Sequence, residues 1–104
     1  MILAERLRTD HDVARELIET EHLIGILQLK ASRLAAEVSR SGVWDRQGYN
    51  NAGDWMRFNC HVTNTVAWDR IRVGEELNRM PESEQAVYDG EIGYAHLKVM
   101  AHGR

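Results

Sequence analysis

The sequence has a single cysteine and no long apolar run, and each of these shortages excludes a class of protein. Cys60 is the single cysteine of the 104 residues, which excludes an internal disulfide and favours a reducing, cytoplasmic setting. No apolar run approaches the roughly 18 residues of a membrane-spanning helix. Glu5, Arg6 and Arg8 come too early in the chain for the apolar core of a signal peptide.

The remaining composition is that of an ordinary folded domain. Hydrophobic residues make up 43% and charged residues 28% of the chain, so disorder is not expected. The length predicts one helical domain over residues 1–104 with a single core. The formal net charge of −3 argues against a protein covered with basic surface for wrapping nucleic acid.

Apolar periodicity predicts an all-α fold of about five helices, since no run alternates apolar and polar residues long enough for a strand. The longest helix is expected over residues 12–40, capped by Thr9 or Asp10 and ended by Gly42. Such a helix would be roughly 43 Å long at 1.5 Å per residue. A compact domain of this size has a radius of gyration of roughly 13 Å. Because the helix is longer than such a domain is wide, we expect it to overhang its own bundle.

One apolar stripe of this helix repeats every three and four residues, which is the spacing of a two-helix seam. The full stripe is Val13, Leu17, Thr20, Ile24, Leu27, Ala31, Leu34 and Val38. Two interpretations fit it: packing of an amphipathic helix along its own chain, or self-association with a second copy. The residues expected at a dimer contact are Val13, Leu17, Ile24, Leu27 and Leu34.

Residues 50–104 are expected to form a helical bundle that begins like a helix–turn–helix. A short helix at 52–59, a turn and a longer helix capped by Thr63 have the proportions of that motif. The start of its second helix would face the major groove, with Asn64 on adenine and Arg72 on phosphate or guanine. DNA binding and plain bundle packing both explain the motif. The residues predicted to contact DNA are Arg57, Thr63, Asn64, Thr65, Trp68 and Arg72.

Two further helices are expected at 82–88 and 94–102. The three tryptophans are expected in the core, with an exposed base-stacking platform as the alternative. They are Trp44, Trp55 and Trp68. Charged residues three and four apart, such as Asp69 with Arg72 and Arg72 with Glu76, predict a salt-bridged solvent face on the helix that Thr63 begins.

No residue pattern indicates catalysis. His96 and His102 are six residues apart, hence roughly 240° apart around a helix, and cannot share a metal ion on one face. Cys60 and His61 lack partners at zinc-finger spacing. The sequence has no Gly-x-Ser-x-Gly elbow, no phosphate-binding glycine loop and no His-Glu-x-x-His motif. We therefore expect no metal site, no cofactor and no enzyme activity.

Four segments from Leu23 onward carry a family likeness. They are Ser41-Gly42-Val43-Trp44, Asp54-Trp55-Met56-Arg57, Leu77-Asn78-Arg79-Met80-Pro81 and Gly90-Glu91-Ile92-Gly93-Tyr94-Ala95-His96. In these segments the chain resembles the actinobacterial 13E12-repeat proteins, whose shared domain is called domain of unknown function 222. It departs from their pattern at Gly93, where the family has Ser or Thr, and at Asn50-Asn51, which replaces a Ser-containing cap.

The resemblance implies a helical region that lies ahead of an HNH nuclease domain in proteins linked to mobile elements. Because those proteins continue with more helices, the chain corresponds to a fragment, a truncated form or a small stand-alone relative. The expected function is a non-catalytic accessory module that binds double-stranded DNA and dimerises through the long helix. A helical assembly module without nucleic-acid contact is the alternative, and a cryptic nuclease is a third interpretation.

Overall fold

The computed structural model describes residues 8–103, and this part of the chain is helical apart from its turns and ends. The all-α prediction is confirmed, with six α-helices in the described part where about five were expected. The elements are α1 (Asp10–Ser41), α2 (Val43–Arg46), α3 (Ala52–Cys60), α4 (Asn64–Glu76), the 3-10 turn Leu77–Arg79, α5 (Pro81–Tyr88) and α6 (Tyr94–His102).

Helix α1 sets the long dimension of the molecule. Its 32 residues span roughly 48 Å at 1.5 Å per residue, and the molecule measures 53 × 32 × 18 Å. The helix begins at the Thr9 cap and ends at Gly42 in the left-handed conformation, as predicted. Every residue from 13 to 21 is exposed, so the part of α1 ahead of His22 overhangs the bundle.

The other helix ends follow local signals. Asn51 and Thr63 cap α3 and α4 by accepting a backbone N–H bond, and the Thr63 cap is the one predicted above. Two details differ from prediction. No helix was predicted between Gly42 and the helix at 52–59, and this segment contains α2. Pro81 lies inside α5 as its first residue, a position where a missing N–H costs no helical hydrogen bond.

Helix α4 is the central element of the bundle, packed against α1, α3 and α6. Two apolar clusters surround it. The first cluster lies between α1, α4 and α6 and includes Leu29, Val73, Leu77 and Leu97. The second cluster lies between α1, α3 and α4 and includes Ala35, Ala52, Met56, Ala67 and Ile71.

The face of α1 that packs on the bundle is not the predicted apolar stripe. The buried positions of α1 are Gly25, Leu29, Ser32, Ala35 and Ala36. The large residues of the stripe from Val13 to Leu34 remain 40–63% exposed, and only Val38, at its end, is half-buried. The interpretation in which this stripe packs along its own chain is therefore wrong. Small residues lie at this contact because the backbones of α1 and α4 approach closely at Ser32 and Gly74.

The predicted salt-bridged solvent face of α4 is also corrected. Asp69 and Glu76 are buried, 9% and 7% exposed. Asp69 pairs across to α6, where the His102 Nε2–H donates to its Oδ1 at 2.7 Å and the Lys98 Nζ lies 3.7 Å from its Oδ2. Glu76 accepts from Arg79 at 3.1 Å. Burial of the two carboxylates follows from the central place of α4, which leaves it only a narrow exposed face.

Two helix-interior glycines test the close approach of α1 and α4. A Cβ at Gly74 would overlap the Ser32 carbonyl oxygen and lie 2.8 Å from the Ala36 Cβ. We expect Gly74→Ala to lower the free energy of unfolding by about 3 kcal/mol, because the two backbones must separate. Urea denaturation followed by circular dichroism measures this change.

Gly25→Ala is the matched control, since Gly25 also lies inside a helix and faces α5. Its added Cβ would lie 3.6 Å from the Val87 Cγ1, which is ordinary contact. We expect this variant to be neutral or up to about 1 kcal/mol more stable, because alanine is the better helix former. Equal effects of the two substitutions would contradict the close packing at Gly74.

Candidate functional site

The main exposed apolar surface of the described residues lies on α1. We call it the α1 seam and define it by Val13, Leu17, Ile24, Leu27 and Leu34. Leu17 and Leu27 are 62% and 63% exposed, and Ile24, the most covered, is still 40% exposed. The structure thus leaves all five predicted dimer-contact residues free of their own chain's core.

The seam and the bundle-packing face lie on opposite sides of the helix. Two residues of helix correspond to roughly 200° of rotation. Leu27 is two residues from Leu29, which is fully buried, and Leu34 is two residues from Ala36, which is 2% exposed. When α1 packs on its bundle, the seam consequently points to solvent.

Charged residues border the seam, as at the flanks of a coiled coil. Glu16, Lys30 and Glu37 lie along one flank and Glu21 along the other. Glu16 forms an ion pair with Arg8. The second flank is crowded near its C-terminal end, because Ala35 is buried there by the cluster that contains Met56 of α3. The seam is therefore most open over its N-terminal two-thirds.

The start of the seam is held by its cap and one distant anchor. The anchor is His22, whose Nε2–H donates to the Tyr88 carbonyl at the end of α5 over 2.7 Å. Ahead of it, the Thr9 backbone N–H and hydroxyl both donate to the Asp12 carboxylate, at 3.2 and 3.0 Å. These two bonds hold the pKa of Asp12 below its usual value, and the bond from the backbone N–H has the larger effect.

The exposed stripe of α4 consists of Thr65, Trp68, Arg72 and Glu75. The predicted DNA-contact residues lie on or near this stripe, but several of them already form hydrogen bonds or ion pairs with neighbouring residues. Arg57 pairs with Asp54 at 3.1 Å. The Thr63 hydroxyl accepts from the Val66 N–H as the helix cap. Asn64 and Thr65 are exposed.

Trp68 and Arg72 continue this stripe toward α6. The Arg72 Nε–H donates to the Ala101 carbonyl at 3.4 Å. Trp68 is 41% exposed, which corrects its placement in the core. Its indole lies directly against Gly53, where a Cβ would come within 2.6 Å of the ring. Glu75 shares the exposed stripe, which is therefore not uniformly basic.

The other two tryptophans, predicted in the core, are half-buried and pack against the α1–α3–α4 cluster. The Trp44 indole N–H donates to the Ser39 carbonyl at 3.1 Å, which fixes α2 on the end of α1. The Trp55 indole N–H donates to the Gln47 side chain at 2.7 Å. These bonds stabilise the crowded end of α1.

Histidine and cysteine side chains have separate places in the structure. His96 accepts from the Gly93 N–H at the start of α6, over 3.2 Å, and His102 is paired with Asp69. Cys60 is exposed at the end of α3. Within residues 8–103, no three His, Cys, Asp or Glu side chains are grouped as metal ligands. None of the helices in that part of the chain has the length and apolar character to cross a membrane.

No protein-family model matches the chain, and neither a curated protein nor a solved structure matches it significantly. The resemblance to the 13E12-repeat proteins therefore remains a hypothesis that rests only on the sequence motifs described above. The seam and the α4 stripe are consequently interpreted from their own geometry.

The lowered pKa of Asp12 gives a test of how the overhanging end is held. A carboxylate with a lowered pKa stabilises the folded state above its usual pKa and stops doing so as pH falls through the lowered value. We expect NMR titration to give an Asp12 pKa below the usual aspartate range. Thr9→Val should raise it part of the way, because the backbone N–H still donates. Thr20→Val, on the same helix, should leave it unchanged, and an equal shift in both variants would contradict this role for Thr9.

Proposed function

We propose that this chain is a helical assembly module that associates through the α1 seam. The observation that carries the proposal is that α1 has two apolar faces and its own bundle covers only one. The bundle takes the face of Gly25, Leu29 and Ala36, while the seam stays in solvent. Exposed apolar surface of this extent marks an interaction site in proteins that are otherwise well packed.

The size of the seam is adequate for association. Each of its five side chains would bury roughly 100 Å², so a partner helix would cover on the order of 500 Å² per protomer before the flanks are included. Leu23, which is 60% exposed beside the seam, extends this area. A standard stable interface buries roughly 800 Å² per partner. The seam with its flanks approaches that value.

In this proposal the module acts by binding and performs no catalysis itself. The histidines that would supply acid–base chemistry are spread over α1, the end of α3 and α6, and two of them serve as a helix cap and an ion-pair partner. A cytoplasmic location suits the exposed, unpaired thiol of Cys60. The resemblance to the 13E12-repeat proteins would place this assembly module beside an HNH nuclease domain.

The proposal predicts that a charge on the seam abolishes association while the same charge beside it does not. Leu27→Lys places a cation at the middle of the seam. Because burying a leucine contributes roughly 1.5–3 kcal/mol and a symmetric dimer contains the residue twice, Kd should rise about 100-fold or more. Sedimentation equilibrium over a range of protein concentrations measures it.

Ile18→Lys is the matched control for this substitution. Ile18 is 70% exposed on the same helix but lies off the seam. Its replacement by lysine should leave the dimer unchanged. A wild-type chain that stays monomeric at high micromolar concentration would overturn the assembly function, as would equal weakening by Ile18→Lys.

Duplex DNA binding by the α4 stripe is a second candidate function. It is favoured by one observation: Thr65, Trp68 and Arg72 share an exposed stripe that follows a short helix and a three-residue turn. The ion pair of Arg57 with Asp54 and the presence of Glu75 on the stripe weaken its positive potential. For these reasons it ranks below assembly.

The DNA candidate predicts salt-dependent binding that needs Arg72. Fluorescence anisotropy of a labelled random duplex should rise with added protein at about 50 mM salt and far less at about 200 mM, because phosphate contacts release counterions. Arg72→Ala should weaken this binding about tenfold. Arg15→Ala, which removes an equal charge on the overhang of α1, should have little effect. Equal binding by both variants would exclude the α4 stripe as the DNA surface.

A further inference from the structure

We propose that the partner of the α1 seam is a second copy of this chain, with the two α1 helices antiparallel and the dyad axis between residues 25 and 26. This arrangement rests on the proposed assembly function and specifies its partner and geometry. Its contacts are Leu17 with Leu34 and Ile24 with Leu27 of the second copy, each formed twice.

The pattern of large and small residues along the seam supports self-recognition. In this register the two largest contacts join leucine or isoleucine to leucine. Thr20 lies opposite Ala31 of the second copy, so two small residues share a layer. Val13 likewise lies opposite Val38. Every large exposed residue of the seam therefore faces an apolar residue, which is the condition for knobs-into-holes packing along its length.

A shifted antiparallel register is less favourable. Moving the dyad to residue 22 brings Glu16 near Lys30 of the second copy, a pairing of opposite charges. The same shift places Ile24 against Thr20 and Leu34 against Asp10. Exposed ion pairs contribute little in water, whereas an uncovered leucine loses the burial that drives association. Apolar matching thus outweighs the charge pairing.

A parallel pair covers the seam equally well, and charge does not separate the two orientations. The parallel pair brings Glu16 near Glu21 of the second copy, and the antiparallel pair brings Glu16 near Glu37. In both cases Glu16 already has Arg8 as its partner within the chain. The orientation must therefore be decided by the space around the helix.

The crowding of one end of α1 decides in favour of the antiparallel pair. At Ala35, 4% exposed, α3 covers the flank of the seam, whereas residues 13–21 are exposed throughout. A parallel pair would bring the two crowded ends together. The antiparallel pair places each crowded end beside the bare half of the other helix, where Ala14 lies opposite Ala35. The two bundles then lie at opposite ends of a closed, two-fold symmetric dimer.

Cysteine cross-linking tests the orientation and the register in the full chain. Cys60 is exposed and is first replaced, as Cys60→Ser. Leu17→Cys and Leu34→Cys are then made separately in that background, one with a mass tag. Both positions are exposed, so neither change touches the folded core. The variants are mixed at equal concentration and equilibrated in a glutathione redox buffer.

We expect the mixed disulfide between the two variants to exceed either self-linked dimer at least tenfold. In the antiparallel pair, two Leu17 positions are separated by 17 residues of helix, roughly 25 Å, beyond the roughly 7 Å between Cα atoms that a disulfide permits. Self-linking of each variant alone would indicate a parallel pair. Preferential linking of Leu17→Cys to Leu27→Cys would indicate the shifted register. Either result overturns the arrangement.

Sedimentation of the Cys60→Ser chain without further cysteines separates this inference from the function on which it rests. A chain that remains monomeric overturns both the assembly function and the antiparallel pair. A dimer that gives no mixed disulfide between Leu17→Cys and Leu34→Cys retains the assembly function and overturns the arrangement alone.

Discussion

The contact of α1 with α4 at Ser32 and Gly74 determines the rest of the architecture. There is no room for a Cβ at Gly74 because the backbone of α1 occupies its place. This approach brings Leu29 and Val73 into one cluster and lets the hydroxyl groups of Ser32 and Tyr94 share a hydrogen bond, with 2.8 Å between their oxygens. With α1 held this closely, its rotation about its own axis is fixed.

That fixed rotation explains why the most apolar face of α1 is the exposed one. A leucine or isoleucine side chain at the contact would hold the two backbones apart, whereas Ser32 and Ala36 permit the close approach to Gly74. The seam is consequently turned away from α4, with Leu27 and Leu34 each two residues, roughly 200° of helix, from a buried position. Apart from Leu29, the helix therefore packs within the chain through small residues, while most of its large apolar residues are exposed.

Local sequence signals were sufficient for several helix ends but not for α2 or for the face on which α1 packs. The caps at Thr9, Asn51 and Thr63 and the left-handed Gly42 depend on neighbouring residues, and all four were predictable. The heptad stripe was the strongest apolar signal in α1, and its dimer interpretation stays a prediction. The packing face carried a weak signal, because alanine, serine and glycine indicate burial only once the partner glycine at position 74 is known.

The helix–turn–helix motif shows the same difference between local and tertiary information. Its helix lengths and turn were predictable, and α3 and α4 have them. What the sequence could not reveal is that α4 is surrounded by three helices, which buries Asp69 and Glu76 and leaves one narrow stripe. Because the seam lies on the far side of α1 from α4, side chains of the seam can change without altering the packing at Gly74. Substitutions on the seam can therefore test for association without disturbing the fold.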